Sequence, residues 1–222
     1  MAKPPFDPQQ LPIEAIAGEA AVAAERLAPA WLRSRFAAPP AWTPEGGERA
    51  LPGRGERAPT PASVLIPLVQ REHGLTILLT QRNADLTDHP GQVSFPGGRA
   101  ERYDQDAIDT ALRESEEEIG LDRRHVEILG TLPQYLTGTG YCVTPVVGLV
   151  QPPFAVTADP SEVAAIFEVP LAFLMDGMNH QRLSVDMAGG RRTFYAMPYE
   201  GYYIWGATAG MLRNLFHFLR AG

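Results

Sequence analysis

The sequence has little of three features that would each indicate a class of protein. It contains a single cysteine, Cys142, so no disulfide can form within the chain, and a reducing compartment is expected. No stretch approaches the roughly 18 apolar residues of a membrane span, and the first residues lack the apolar core of a signal peptide. The chain is therefore predicted to be cytoplasmic, with no membrane partner.

Basic residues are the third deficit. The 222 residues include 19 Lys and Arg against 26 Asp and Glu, which gives a formal net charge of −7. A protein that binds duplex nucleic acid needs a basic surface, so no nucleic-acid partner is expected. A nucleotide ligand remains compatible with an acidic protein, because a bound cation can supply the attraction.

Composition indicates one globular domain with an extension. Hydrophobic residues make up 45% of the chain and charged residues 20%, as in folded globular proteins. Residues 1–61 are predicted to form an N-terminal helical arm, with helical spacing from Leu11 to Phe36, and then a linker rich in proline and glycine at 39–61. We expect the arm to pack against the core, and a cap over a substrate cleft is the alternative. Residues 62–222 form the main domain.

Strand and helix signals alternate through the main domain, which is compatible with layered α/β packing. The predicted strands are 63–69, 75–80, 126–132, 142–150 and 166–171. A hairpin is predicted at 182–197 around Gly189-Gly190, and helices are predicted from about Asp104 to Ile119 and at 206–219.

The most informative stretch runs from Gly97 to Leu121. Its two adjacent glycines, Gly97 and Gly98, allow backbone angles that are closed to other residues, so that a carbonyl can turn towards a ligand. Apolar residues then recur at helical spacing, and Gly120 is placed to end the helix. The stretch is therefore predicted to be a glycine-rich loop that leads into an amphipathic helix.

Three glutamates, Glu114, Glu117 and Glu118, follow at positions i, i+3 and i+4 and project from one face of this helix. Like charges so close together weaken a helix, so a compensating divalent cation is the natural inference, since Mg²⁺ prefers oxygen ligands. Arg113 is placed to orient or screen the carboxylates. The alternative is a solvated acidic face, which is common on exposed helices.

The residues around the glutamates resemble a known motif. Arg113 to Leu121, reading RESEEEIGL, is similar to the end of the Nudix box, G-x5-E-x7-R-E-U-x-E-E-x-G-U, found in hydrolases of nucleoside-diphosphate-linked substrates. Ser115 stands where an aliphatic residue is usual. Asp104 takes the place of the first Glu, and eight residues rather than seven separate it from Arg113.

The upstream residues resemble one branch of that family, the coenzyme A pyrophosphatases, which carries the same insertion. Its signature, approximately L-L-T-x-R-[SA]-x3-R-x3-G-x3-F-P-G-G, fits Leu78 to Arg82 and Gly91 to Gly98 in register. Asn83 and Thr87 depart from it.

The resemblance implies a fold and a reaction. The fold would be a Nudix α/β/α sandwich, with a mixed sheet between the box helix and the C-terminal helix. The reaction would be hydrolysis of the pyrophosphate of coenzyme A or its derivatives to 4′-phosphopantetheine and adenosine 3′,5′-bisphosphate, dependent on Mg²⁺ or Mn²⁺. The implied metal ligands are Glu114, Glu117, Glu118 and the Gly98 carbonyl, and the implied catalytic residues are Glu114, Glu117, Arg113 and Glu162.

Each further site residue has an alternative interpretation. Glu162 is either an extra metal ligand or general base from outside the box, or a helix N-terminal acid after Ser161. Arg82 is either a phosphate contact or a loop salt bridge.

A Thr- and Gly-rich loop after the third predicted strand supplies the remaining candidates for substrate binding. The resemblance implies that Tyr135 or Tyr141 stacks on adenine and that Thr137 or Thr139 donates to phosphate, and the alternative is ordinary turn chemistry. Arg191 and Arg192 either contact a ribose 3′-phosphate or are solvated.

Two other functions stay open at this point. One is a Nudix hydrolase that acts on ADP-ribose or a dinucleotide, and the other is a non-catalytic Nudix module that senses a nucleotide. In each case the partner is a small molecule that carries a nucleotide diphosphate, and a homodimer is an open option.

Overall fold

The computed structural model describes residues 6–47, 58–86, 89–187 and 190–222. Within these ranges the chain forms strands and α-helices in an alternating order, as expected. The strands are β1 Ile13–Ile16, β2 Thr60–Arg71, β3 Gly74–Arg82, β4 Val93–Ser94, β5 Gly97–Arg99, β6 Val126–Thr131, β7 Tyr135–Leu136, β8 Tyr141–Val150, β9 Val163–Pro170, β10 Gln181–Met187, β11 Gly190–Tyr199 and β12 Tyr202–Trp205. The α-helices are α1 Pro29–Ala37, α2 Ala107–Ile119, α3 Leu171–Leu174 and α4 Gly206–Arg220.

The main sheet is mixed and divides into two branches. Its order is β4-β3-β2-β8-β6, and β2 runs parallel to β8. Three further strands pair with inner strands of this order: β5 with β2, β7 with β8 and β9 with β3. β2 and β3 pair only near their turn, from Leu68↔Ile77 to Arg71↔Gly74. Beyond that point they separate, and β5 pairs with β2 while β4 pairs with β3. We call this division of the sheet the fork.

Helices cover both faces of the main sheet, which confirms the predicted α/β sandwich. Successive residues of a strand point to opposite faces. Leu65 of β2 accordingly belongs to a buried cluster with Ala111 and Ile119 of α2, whereas Ile66 belongs to the larger core with Leu212 and Leu215 of α4. The helix that carries the glutamates and the C-terminal helix therefore lie on opposite sides of the sheet.

Helix α2 starts three residues later than predicted because of its cap. The Asp106 carboxylate accepts hydrogen bonds from the N–H groups of Ile108 and Asp109, which fixes the first turn. Gly120 ends the helix in the left-handed conformation with φ of 64°, as the sequence predicts.

Several predictions fall partly or wholly outside the described residues. They concern residues 48–57 of the predicted linker, Thr87 of the coenzyme A signature, and Gly189 of the C-terminal hairpin. The strands on either side of that turn, β10 and β11, pair in register from Gln181↔Ala196 to Met187↔Gly190, so the hairpin itself is confirmed. Among the helices in the described ranges, none has the length and apolarity needed to cross a membrane.

A second sheet was not predicted, and it corrects the expectation for the arm. Its order is β1-β10-β11-β12 and all its pairs are antiparallel. The helical prediction over residues 11–28 is wrong, because Ile13 to Ile16 form a strand on the edge of β10. An available strand edge outweighs the intrinsic helix propensity of an alanine-rich segment. Helix α1 begins at Pro29, a residue that is favoured at the first position of a helix.

The arm packs against α4 through apolar contacts. Leu32 of α1 is fully buried. The rings of Phe36 and Trp42 lie 4.8 Å and 5.6 Å from the ring of Phe218, between centroids. This is the packing that the sequence favoured over a cap on the cleft.

Buried charges also join the arm to α4. Arg213 of α4, 2% exposed, donates from Nη2 to Glu19 Oε1 at 2.8 Å and to Glu45 Oε1 at 2.7 Å. Its Nη1 lies 3.0 Å from His180 Nδ1. His217 Nε2 lies 2.7 Å from Glu45 Oε1. We call these five residues the Arg213 cluster.

The geometry assigns the proton of His180. An arginine side chain can only donate, so Nδ1 accepts from Arg213, and Nε2–H donates to the Leu174 carbonyl oxygen 2.8 Å away. The ring is therefore neutral in the folded protein. Burial, together with the Arg213 charge, lowers the pKa of His180 to about 4, although its hydrogen bond to Leu174 acts the other way.

We expect the protein to lose stability in mild acid because of His180. Its unfolded pKa is about 6.5, so the unfolded state takes up a proton before the folded state does. The neutral ring contributes on the order of 3 kcal/mol to the free energy of unfolding. This contribution is complete above about pH 6.5 and is lost as the pH falls towards 4. Hydrogen bonds from Arg213 lower the pKa of Glu19 to about 2, so Glu19 adds a further loss only below about pH 4.5.

Urea unfolding at several pH values between about 7 and 4 tests this prediction. A His180→Gln variant keeps one donor and one acceptor but does not titrate, so its free energy of unfolding should change less over that range. His73→Gln, at the exposed turn between β2 and β3, is the matched control and should keep the wild-type slope. Equal slopes for wild type and His180→Gln would contradict the assignment.

Candidate active site

The fork brings the backbone of β5 against the carboxylates of α2. The Gly97 N–H donates to Glu118 Oε2 at 3.1 Å. Gly97 has φ of 151°, and a Cβ atom there would lie 2.4 Å from the Ser63 carbonyl oxygen and 2.5 Å from Val64 Cα. A residue with a side chain would have to displace β2, so glycine is required at this position.

Gly98 leaves room for a second carboxylate. A Cβ atom on Gly98 would lie 2.5 Å from Glu114 Oε2 and 2.6 Å from Glu114 Cδ. The bare backbone thus forms a cradle for the Glu114 side chain. The two glycines predicted to shape a loop are therefore the first two residues of a short strand that holds both glutamates.

Glu118 is a buried acid with few compensating groups. It is 5% exposed, and burial raises its pKa to about 7. The Gly97 hydrogen bond and the Arg82 charge oppose this rise, whereas the carboxylates of Glu162 and Glu114 add to it. Arg82 Nη1 lies 3.8 Å from Glu118 Oε1, which is long for a hydrogen bond.

Glu114 shows the same pattern more weakly. Burial raises its pKa, Arg113 lowers it, and the charges of Glu117 and Glu162 raise it again. Glu114 and Glu118 thus both have raised pKa values, and the carboxylate of Glu162 contributes to both rises. Negative charge is therefore concentrated at the fork. A cation placed among them would relieve that repulsion.

Glu162 reaches the fork through the loop that follows α2. The Asp159 N–H donates to the Glu118 carbonyl oxygen at 2.8 Å, and the Asn83 N–H donates to the Glu162 carbonyl oxygen at 2.8 Å. Ser161 bonds to Asp159 within this turn, which leads directly into β9. The segment forms no helix, so the alternative of a helix N-terminal acid at Glu162 does not apply.

Arg113 connects the helix to the loop before it. Its Nε donates to Asp104 Oδ1 at 2.8 Å, and Nη2 donates to the Arg99 carbonyl oxygen at 3.1 Å. Its Nη1 lies 2.8 Å from Glu117 Oε2 and 2.9 Å from Glu114 Oε1. The hydrogen bonds from Arg113, together with those from the Glu101 N–H and the Thr110 hydroxyl, hold the pKa of Asp104 well below its usual range. Asp104, matched in the sequence only as a substitute for the first box glutamate, is thus the anchor of Arg113.

Two of the predicted substrate contacts, Arg82 and Tyr135, lie in different parts of the structure. Arg82 lies beside Glu118. Tyr135 is 6% exposed and belongs to the core on the α4 face, where a Cβ atom on Gly210 would lie 2.3 Å from its hydroxyl oxygen. Its stacking on adenine stays a prediction.

The threonine loop shows the turn chemistry considered as the alternative. The hydroxyls of Thr137 and Thr139 bond to each other at 3.0 Å, and the Tyr141 N–H donates to Thr137 Oγ1 at 2.9 Å. Arg191, a candidate for a ribose phosphate, pairs with Glu14 of the arm. Their contacts with substrate stay predictions.

The donor set fits a hard divalent cation, although the side chains are not arranged around one. Within the described ranges, no group of three or more His, Cys, Asp or Glu side chains lies close enough together to hold a metal ion. Glu117 points to Arg113 and its side chain is 58% exposed. Glu114 and Glu118 are nevertheless held against the β5 backbone, and carboxylate and carbonyl oxygens are what Mg²⁺ and Mn²⁺ prefer.

The fold is an α/β sandwich that gathers carboxylates beside a glycine-rich strand, and carboxylate oxygens are suitable ligands for a divalent metal. The chain belongs to the Nudix family: the NUDIX domain model matches residues 59–182. It is a pyrophosphohydrolase, an enzyme that hydrolyses pyrophosphate bonds, and Nudix hydrolases generally use divalent metals.

The chain is similar to one curated sequence and to several solved structures. A protein of Escherichia coli K12 named uncharacterized Nudix hydrolase NudL is 44% identical over 155 residues, covering 69% of this chain and 80% of NudL. Among solved structures, an Ap4A hydrolase of C. elegans in a binary complex has a TM-score of 0.44 at 19% identity, covering 50% of this chain and 80% of that one. RenU, a Nudix hydrolase of M. smegmatis, has a TM-score of 0.46 at 19% identity, covering 57% and 81%.

Proposed function

We propose that this enzyme hydrolyses the pyrophosphate bond of coenzyme A or its derivatives, giving 4′-phosphopantetheine and adenosine 3′,5′-bisphosphate. The observation that carries the proposal is the pair of half-buried and buried carboxylates, Glu114 and Glu118, held against Gly97 and Gly98 at the fork. The coenzyme A substrate rests on the upstream signature, whose Arg82 lies beside Glu118 in the structure.

Glu114, Glu117, Glu118 and the Gly98 carbonyl would hold Mg²⁺ or Mn²⁺. When bound, such an ion polarises a phosphoryl oxygen and lowers the pKa of a coordinated water. Glu117 would have to exchange Arg113 for the cation. Arg113 then keeps Glu114 in position through its own attachment to Asp104.

The remaining charged residues have distinct roles in this proposal. Arg82 would contact the phosphate, since a guanidinium matches phosphate oxygens and neutralises the charge that spreads over them. Glu162 would accept a proton or act as an additional ligand from outside the helix. The expected partner is a small molecule, the expected location is the cytoplasm, and a homodimer stays a prediction.

Product analysis on a panel of diphosphates tests the substrate. With saturating Mg²⁺ or Mn²⁺, kcat/KM for coenzyme A should exceed that for ADP-ribose by about tenfold or more, because a site built for one substrate discriminates through its contacts away from the reacting bond. Mass spectrometry should identify 4′-phosphopantetheine and adenosine 3′,5′-bisphosphate. 3′-Dephospho-coenzyme A is the matched control, because it lacks the 3′-phosphate but keeps the pantetheine part of coenzyme A.

The other outcomes have definite meanings. Preferred turnover of ADP-ribose or of a dinucleotide would retain the hydrolase and reject coenzyme A as its substrate. Tight binding of a nucleotide without turnover that depends on metal would indicate the non-catalytic sensing module.

A further inference from the structure

A cavity lies beside the active site, beneath the first turns of α2. It has a volume of about 450 Å³ and is lined by Thr110 of α2, Ser63 of β2, and Cys142 and Thr144 of β8, among others. Further along the same strands, Leu65 and Val146 fill the layer between α2 and the sheet. The cavity is therefore the open end of that layer, where small and polar side chains replace large apolar ones.

The cavity is next to the glutamates. Ser63 pairs directly with Gly98 across β2 and β5, and Ala100, two residues after Gly98, lines the cavity. Thr110 precedes Glu114 by four residues, which is about 6 Å along the helix axis. A substrate whose diphosphate lies at the fork can therefore extend one of its two ends into this space.

The lining determines which end fits. Its neutral polar groups are hydroxyls and one amide, and its apolar groups are small. Its charged groups are the carboxylates of Glu101, Asp104 and Asp106. None of the described residues that line it is basic. Asp104 is paired with Arg113. The carboxylates of Glu101 and Asp106 nevertheless disfavour a phosphate group, whereas amide N–H groups find acceptors in the lining.

We infer that this cavity binds the uncharged, amide-bearing pantetheine arm of the substrate. The inference rests on the proposed function and adds a subsite to it. Pockets for small ligands occupy about 300–1,000 Å³, so the volume suits an arm of this kind. The phosphorylated adenosine end then lies on the other side of the diphosphate, away from the carboxylates of the cavity.

A Thr144→Leu variant tests the subsite by filling it. Because the larger side chain occupies space that the pantetheine arm needs, the ratio of kcat/KM for coenzyme A to kcat/KM for ADP-ribose should fall by about tenfold. The matched control is Thr131→Leu, the same substitution at the exposed last residue of β6, which should leave that ratio within about twofold of wild type. An unchanged ratio in a folded Thr144→Leu protein would contradict the inference.

Cys142 provides a second measurement that does not depend on turnover. It is a free, half-buried cysteine that lines the cavity. With pantethine, the disulfide of two pantetheine arms, the Cys142 thiolate attacks one sulfur, forms a mixed disulfide and releases one pantetheine thiolate, which then takes up a proton. Labelling by pantethine should be about tenfold faster than by bis(2-hydroxyethyl) disulfide, which lacks the arm, and Thr144→Leu should remove most of this advantage.

The two measurements separate this inference from the proposed function. Selective labelling of Cys142 in an enzyme that does not hydrolyse coenzyme A would reject the substrate and retain the subsite. Hydrolysis of coenzyme A with no selective labelling, and with an unchanged ratio in Thr144→Leu, would retain the function and reject the subsite.

Discussion

A Glu118→Gln variant should lose about three decades of kcat, or about 4 kcal/mol of transition-state stabilisation. The substitution removes a negative charge from the most buried carboxylate at the fork, where a divalent cation gains most from it. The fold should survive, because an amide oxygen still accepts the hydrogen bond from Gly97 and no buried carboxylate has to be ionised. The measurement is kcat at saturating Mg²⁺, together with the melting temperature of the metal-free protein.

Glu116→Gln is the matched control for this experiment. Glu116 lies on the same helix but pairs with Arg123 on the side away from the fork. Its loss should change kcat by no more than about twofold. If Glu118→Gln stayed within about threefold of wild type under saturating metal, Glu118 would have no part in holding the cation.

The second large effect is expected on stability, from Arg213→Ala. Arg213 is 2% exposed and is hydrogen-bonded to Glu19 and Glu45 of the arm. Removing the guanidinium deprives Glu19 and Glu45 of their shared ion-pair partner, with His217 still bonded to Glu45. It also opens a cavity against Tyr195, whose ring centroid lies 4.5 Å from the guanidinium carbon. The free energy of unfolding should fall by about 3–5 kcal/mol, as for other buried ion pairs that lose one partner. Urea unfolding at neutral pH measures the change.

The origin of this loss can be separated by further variants. Arg124→Ala removes an arginine that is also ion-paired but whose side chain is 83% exposed, and it should cost less than about 0.5 kcal/mol. Adding Glu19→Gln and Glu45→Gln to Arg213→Ala should recover part of the loss, because the carboxylates left without a partner are then neutral. Equal losses from Arg213→Ala and Arg124→Ala would show that the Arg213 cluster does not stabilise the fold.

The sequence predicts what local pattern determines. Helix α2, its termination at Gly120 and the hairpins follow from periodicity and turn residues over short distances. The spacing of Glu114, Glu117 and Glu118 follows from helix geometry in the same way. Sequence reasoning therefore identified the helix that carries the candidate metal ligands before the sheet around it was known.

Contacts over long separations in sequence leave no such signal. Arg213 meets Glu45 across 168 residues and Glu19 across 194, so each looks like an ordinary surface charge in the sequence. Strands β1 and β10 are also far apart in the sequence. Without their pairing, the alanine-rich segment of the arm is predicted to be helical. Tyr135 looks like a loop aromatic, although the core on the α4 face buries it.

Glu162 lies between these two cases. Its position was identified from family resemblance and not from any local pattern. What brings it to the fork is the pair of backbone hydrogen bonds that Glu118 and Asn83 make with the loop after α2, and these depend on the assembled sheet.

The main sheet also acts as a partition. The fork and its carboxylates lie on the α2 face, whereas the Arg213 cluster and most of the aromatic packing of the arm lie on the α4 face. An engineer who seeks a version that tolerates heat can therefore redesign the Arg213 cluster without altering the carboxylates of the fork.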